Sequence, residues 1–478
     1  MFDVTRRRFL HGLGAAAAAG TVAGPARALA AADVTTLLIT TSTVEVLGRT
    51  VEMLDVLQPN GTRGITTTVG SRFRVREINK LGVPTLMHWH GLTPPPHQDG
   101  VPIVSQPALP PGETYEYDFP LTEAGTYWMH SHQGLQEQSL LSGPLVIKDP
   151  ADDALGEHDV VVELADFSFT SPEQVFANLL RPATPQPKPL TPVAPGKMPP
   201  MKRDANDVNY DAFLANRRPV ADPEVFRIES RARVRLRLIN SSSATNYTVD
   251  LGALTGTLVA VDGRPIAPVK GRRFGIGIAQ RCDVRVETPG PGVYPIFSVR
   301  EGDTPRSVFV LASNGANVPR YTATSPFVAP YNDLVLEAQL RATLPLAPRK
   351  ADRTIAMNLT GDMAKYAWTI DGAAWTDELA LSGKAPFLGV KKGERVEIVM
   401  QNKTMMTHPM HLHGHSFQVV AIGGQRFGGA MRDTVLVTPK ATVTIAFDAN
   451  NPGWWFYHCH NLYHLAAGMA TSVRYLSG

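Results

Sequence analysis

The segment HCHNLYHLAAGM, His458 to Met469, sets a cysteine between two histidines, with a further histidine at 464 and a methionine at 469. The 478-residue chain has only two cysteines, Cys282 and Cys459, so this placement is selective. Thiolate, imidazole and thioether together suit a soft metal, and two His, one Cys and a weak axial Met make a blue-copper electron-transfer site. His464 and Met469 stand beside Cys459 in the segment, and His408 of HPMHLHGH supplies the second imidazole. GWWFYHCH has the aromatic composition of a strand, where successive side chains point to opposite faces. His458 and His460 then look one way and Cys459 the other, so one short segment serves two metal sites.

The other histidines fall into His-x-His pairs: His88/His90, His130/His132, His411/His413 and, flanking the cysteine, His458/His460. Eight imidazoles without a carboxylate among them favour copper over magnesium or manganese. A structural zinc site closes with four ligands and would leave four of these histidines unused. Of the fourteen histidines, ten are thereby assigned. His11 is N-terminal, and His97, His158 and His415 are expected at the surface or in support of a ligand.

The elements that must carry these residues emerge from internal repetition. Aligned on their His-x-His pairs, residues 69–91 and 390–414 match at Gly70/Gly393, Arg72/Arg395, Asn79/Asn402, Lys80/Lys403 and Gly91/Gly414. Residues 109–132 match 437–460 at Pro111/Pro439, Thr114/Thr442, Phe119/Phe447 and Gly125/Gly453. A middle copy keeps Asn240 and Gly292-Val293-Tyr294 but has Phe297 and Val299 in place of histidines, so it is expected to be a spacer without metal chemistry. The first copy has Thr85, Ser131, Gln136 and Leu141 where the third has His408, Cys459, His464 and Met469. Four residues absent as a set behave as one site. With 39 prolines, 40 glycines and many Val/Thr-rich runs, the chain reads as mostly β. The expected domains are 34–150, 151–335 and 350–478, with the histidine cluster between the first and the third. The stretch 181–201, with eight prolines, is expected to be an extended loop of the second domain, its Met198 and Met201 incidental rather than ligands.

Thr5-Arg6-Arg7-Arg8-Phe9-Leu10, an apolar Ala/Gly stretch and Ala28-Leu29-Ala30 look like a twin-arginine secretion signal over residues 1–30. Its removal brings the formal charge of +3 to about zero, leaving no electrostatic case for nucleic acid. The signal is too short and glycine-rich to favour a permanent membrane span. With Cys459 a ligand, Cys282 is expected to be a free, buried thiol.

HWHG, HSH, HPxHLHGH and HCHxxxHxxxxM, in this order and at both ends of the mature chain, resemble the multicopper oxidases, closest in texture to the bacterial copper-resistance and manganese-oxidising branches. The resemblance implies an all-β protein of three cupredoxin-like Greek-key domains. It also implies a laccase-like oxidoreductase that couples four one-electron oxidations to reduction of dioxygen to water. By motif, His408, Cys459, His464 and Met469 would hold a type 1 copper. His88 and His411 would hold the type 2 copper, and His90, His130, His132, His413, His458 and His460 the type 3 pair, four coppers in all. Asp99, in HGLTPPPHQDGVP, matches an acidic position that assists proton delivery; a plain turn aspartate is the competing reading. An axial Met469 favours easily oxidised donors: phenols, cuprous ion or ferrous ion. The expected partners are dioxygen and such a reductant, with a periplasmic, monomeric protein.

The sequence departs from the cuprous oxidases, which often carry a methionine-rich insertion in domain three and an acidic residue after the second type 1 histidine; here Leu465 stands there. Met400, Met405, Met406 and Met410 cluster around His408, which core packing explains in part. A copper-sequestering resistance protein with little turnover is the alternative. A ligand-less structural relative and a two-domain nitrite reductase fit the intact ligand set less well.

Overall fold

A computed structural model describes residues 34–181 and 205–476. The twin-arginine segment, and the proline-rich stretch beyond Arg181 with Met198 and Met201, lie outside the described residues. The described chain is all-β and is built as three cupredoxin-like sandwiches, each of two sheets facing one another across a core. The described helices are short, the longest being Pro172–Leu179, and none is long and apolar enough to cross a membrane.

The strand Arg72–Asn79 shows why the sandwiches form: Phe73, Val75, Glu77 and Asn79 turn inward while Arg72 and Arg76 stay in water. Its counterparts are Arg233–Asn240 and Arg395–Asn402. Each runs parallel to the opening strand of its sandwich and ends in the same register: Ile39 beside Asn79, Leu164 beside Asn240, Leu359 beside Asn402.

The three asparagines repeat one hydrogen-bonding task. Asn79 Nδ2 donates to the carbonyls of Val83 and Leu109, both at 2.9 Å. Asn240 Nδ2 donates to Thr245 and Ile276, and Asn402 Nδ2 to Met406 and Val437. Each buried amide donates to one carbonyl of the loop that follows it and to one from a distant segment, and so ties the loop leading into the next strand to that segment. In the third sandwich that strand begins at His408.

Cys282 is free and buried in the middle sandwich, where burial pushes its thiol up to about 12.

Candidate metal centre

The strand Trp454–Cys459 pairs with His408–Leu412, setting Met410 opposite Cys459 and His411 opposite His458. In the first sandwich His88 lies opposite His130. In the middle sandwich Phe297 takes the equivalent place opposite Asp250. The alternation expected along HCH is present. Cys459 Sγ lies 3.6 Å from His408 Nδ1 and 3.5 Å from His464 Nδ1, which are 3.1 Å apart. The centre of that triangle is about 2 Å from each corner, the length of a metal–imidazole bond. Met469 is buried beside it, its carbonyl accepting from the Cys459 N–H.

His458 and His460 turn the other way and join two further groups: His132, His413 and His458, and His90, His130 and His460. A third group is His88, His90 and His411. All eight paired histidines converge between the first and third sandwiches, with His88 and His413 ring centroids 4.1 Å apart and His90 and His411 stacked at 3.8 Å.

The hydrogen bonds of the rings decide what they can hold. His413 Nδ1 donates to Asp99 Oδ2 at 2.9 Å and His458 Nδ1 to the Cys459 carbonyl at 3.0 Å. Both Nε2 atoms are therefore lone-pair acceptors in the neutral rings, yet they face each other at 3.0 Å. His130 Nδ1 is likewise committed to Glu137 Oε2 at 2.9 Å, and its Nε2 faces that of His460 at 3.3 Å. At the cysteine site, His464 Nε2 donates to Asp207 Oδ2 and His408 Nε2 to Thr404 Oγ1, so here two Nδ1 lone pairs oppose. Opposed lone pairs repel unless a cation lies between them. The buried inward nitrogens of His88, His90 and His411 have no hydrogen-bond partner at all.

Burial, reinforced by neighbouring rings, drives His90, His130, His132, His408, His411, His413, His458 and His460 below the ordinary histidine range, so they stay neutral and able to ligate. Burial also pushes the Cys459 thiol up, so a thiolate there needs a bound cation. Buried thiol, imidazole and thioether at one site and imidazoles alone at the other fit copper.

Asp99 is buried rather than a surface turn residue: its carbonyl accepts from His88 Nδ1 at 2.7 Å while its carboxylate accepts from His413. Gly100, at φ 81°, makes this possible, because a Cβ there would collide with the Met87 carbonyl. Sequence reasoning missed four other charged groups. Glu137 holds His130; Asp433 Oδ1 accepts from His90 Nε2 at 3.0 Å and its carbonyl from His411 Nδ1; Arg281 pairs with Asp433; and Asp207 caps His464. Glu137 lies in the QEQ after His-Ser-His, the one sequence signal among them. Arg281 and Asp207 come from the middle segment. It therefore does more than space the outer sandwiches, although no metal-binding group of three forms within it among the described residues.

At the first sandwich's counterpart of the cysteine site, Thr85 Oγ1 and Ser131 Oγ both donate to Gln136 Oε1 at 2.8 Å, over a buried Leu141. Neutral oxygens satisfy one another there. His97 and His158 are exposed, and His415 is buried with Nε2 bonded to Tyr475 Oη.

Three family models, each described as multicopper oxidase, match residues 40–152, 158–316 and 348–478. The multicopper oxidase MmcO of Mycobacterium tuberculosis is 34% identical over 422 residues, covering 86% of this chain and 81% of its own. A copper resistance protein A homolog of Pseudomonas syringae pv. tomato is 29% identical over 518 residues, 85% of this chain and 86% of its own. The crystal structure of a multi-copper oxidase from Pseudomonas thermotolerans superposes with a TM-score of 0.70 at 25% identity, covering 92% of this chain and 98% of that one. These matches span nearly all of the sequence with the histidines and cysteine gathered as described, and the chain belongs to the multicopper oxidase family.

Proposed function

We propose that the protein is a four-copper oxidase that draws single electrons from a small reductant and delivers them to dioxygen, forming water. The observation that carries this reading is that Cys459 faces one donor cluster while His458 and His460, its chain neighbours, face the other. His408, Cys459, His464 and Met469 are assigned to type 1 copper, His88 and His411 to type 2, and the remaining six paired histidines to type 3. The domains are taken as 34–150, 151–335 and 350–478, in a monomer exported by the twin-arginine route to the periplasm.

Copper, when bound, supplies the one-electron redox steps and the site of dioxygen reduction. The chain supplies the route and the protons. His464 is fully buried, as are the Asp207 carboxylate that accepts from its Nε2 and Tyr366, whose hydroxyl donates to that carboxylate, so an electron reaches His464 across this buried layer and not by direct contact with the reductant. From Cys459 the route continues along the backbone, and the Cys459 carbonyl that accepts from His458 Nδ1 shortens it by a hydrogen bond. Reductant and dioxygen therefore never meet. Asp99 Oδ1 and Glu137 Oε1 are buried carboxylate oxygens without hydrogen-bond partners next to the histidines, placed to hold protons for water formation. Between a phenol and a low-valent metal ion such as cuprous ion as the reductant, the copper-resistance relative favours the latter.

Sequestration with little turnover is the second reading, resting on that same relative. Oxygen uptake by copper-loaded protein with cuprous ion or a phenol separates the two, and an oxygen-inert protein holding its copper would favour storage. Replacing Cys459→Ser is expected to abolish blue colour and turnover with the circular dichroism unchanged; retained oxidase activity would refute the route.

A further inference from the structure

We infer that Arg281, from the middle sandwich, is a positioning residue for the histidine cluster: its guanidinium fork orients the Asp433 carboxylate, which in turn selects the tautomer and ring direction of His90. The inference rests on the assignment of that cluster to copper.

His90 differs from its neighbours. His88, His130, His411, His413 and His458 bond outward through Nδ1, whereas His90 bonds outward through Nε2 to Asp433 and Thr434 and turns an unpartnered Nδ1 inward. Backbone carbonyls or the carboxylates of Asp99 and Glu137 anchor the others; His90 has only the side chains of Asp433 and Thr434. A free carboxylate swivels about its terminal torsion. Here Arg281 Nη1 donates to Oδ1 at 2.8 Å and Nη2 pairs with Oδ2, a two-pronged grip that leaves Oδ1 pointing at His90.

Arg281 is itself immobilised from all sides and wholly buried. Its Nε donates to the Thr126 carbonyl of the first sandwich and its Nη1 to the Ala279 carbonyl of its own, while Asp433 belongs to the third. Gly91, the glycine of HWHG, sits at φ 91° under this node; a Cβ there would lie 2.5 Å from Arg281 Nη2 and 2.7 Å from Asp433 Oδ2. The single cation thus ties three sandwiches to one imidazole.

The test uses full-length, copper-loaded protein and measures copper retained at the histidine cluster against a competing chelator, with blue absorption from the Cys459 site as internal control. Arg281→Lys keeps the charge but loses the fork. It is expected to weaken cluster copper by about 10–100-fold, as loss of a ligand's supporting bond does, with blue colour intact. Arg281→Leu leaves Asp433 buried and unpaired and is expected to lower Tm as well. Adding Asp433→Asn to it removes that charge and should recover Tm without recovering cluster copper. A lysine variant that retains copper like the parent overturns the inference, as does copper retention that simply tracks Tm across the series. A parent protein that loads no copper into the cluster would instead sink the assignment on which the inference stands.

Discussion

Lone pairs that confront each other at about 3 Å are the feature of single residues from which the chemistry follows. His413 and His458 reach this arrangement because each has spent its Nδ1 proton elsewhere, on Asp99 and on the Cys459 carbonyl. Asp99 is thus an anchor through Oδ2, and in the proposed function its unpartnered Oδ1 is the acid–base group. Replacement of Asp99→Asn keeps an acceptor for His413 but removes the proton-holding oxygen. Turnover with dioxygen is expected to fall by about 10²–10⁴-fold while blue absorption stays, checked by oxygen uptake and visible spectra on the same sample. The histidines and Cys459 were legible in the sequence because ligands come as tight local patterns. The carboxylates were not, since Asp433 is 343 positions from His90 and a lone acid in a loop carries no spacing to interpret. Asp99 stood out only through the resemblance, and its burial, which decides between turn and site, is a tertiary fact.

At the scale of elements, the asparagine that closes each of three parallel strands is the unit of construction. Asn402 donates one bond to Met406 in the loop between Lys403 and Thr407 and one to Val437 of a neighbouring strand, and its Oδ1 accepts from the Thr404 N–H and hydroxyl. Thr404 in turn accepts from His408 Nε2. Cutting Asn402→Ala removes two donated and two accepted buried hydrogen bonds and is expected to destabilise by about 2–4 kcal/mol and to weaken blue absorption. Asn79→Ala carries a similar stability cost in the first sandwich and should spare the colour. Denaturant unfolding and absorbance distinguish them. The repeat was visible because Asn79, Asn240 and Asn402 recur at matched offsets; the task they share was not, because one carbonyl partner of each, such as Leu109, Ile276 or Val437, lies 30 positions or more along the chain.

Across the whole molecule, the proposed assignment makes copper part of the fold, since the sandwiches meet on mutually repelling imidazoles. Chelation is expected to lower Tm, with the loss reversed by copper in a concentration-dependent way, as calorimetry would show. The copper-free protein should also be acid-labile. Its buried histidines have folded pKa values below the unfolded 6.5, so the unfolded chain binds more protons as pH drops. Stability is therefore expected to be unaffected by these groups above about pH 6.5 and to fall progressively below it. Urea titrations at pH 5 and pH 7.5, conditions about 1 unit or more either side of that value, test the sign.

The quiet quartet of Thr85, Ser131, Gln136 and Leu141 has an engineering meaning. Ser131 stands between His130 and His132 as Cys459 stands between His458 and His460, so the molecule already contains a mirror-placed socket with its wiring laid but no plug. Refitting those four positions with His, Cys, His and Met would ask whether one histidine cluster can be fed from two opposite doors.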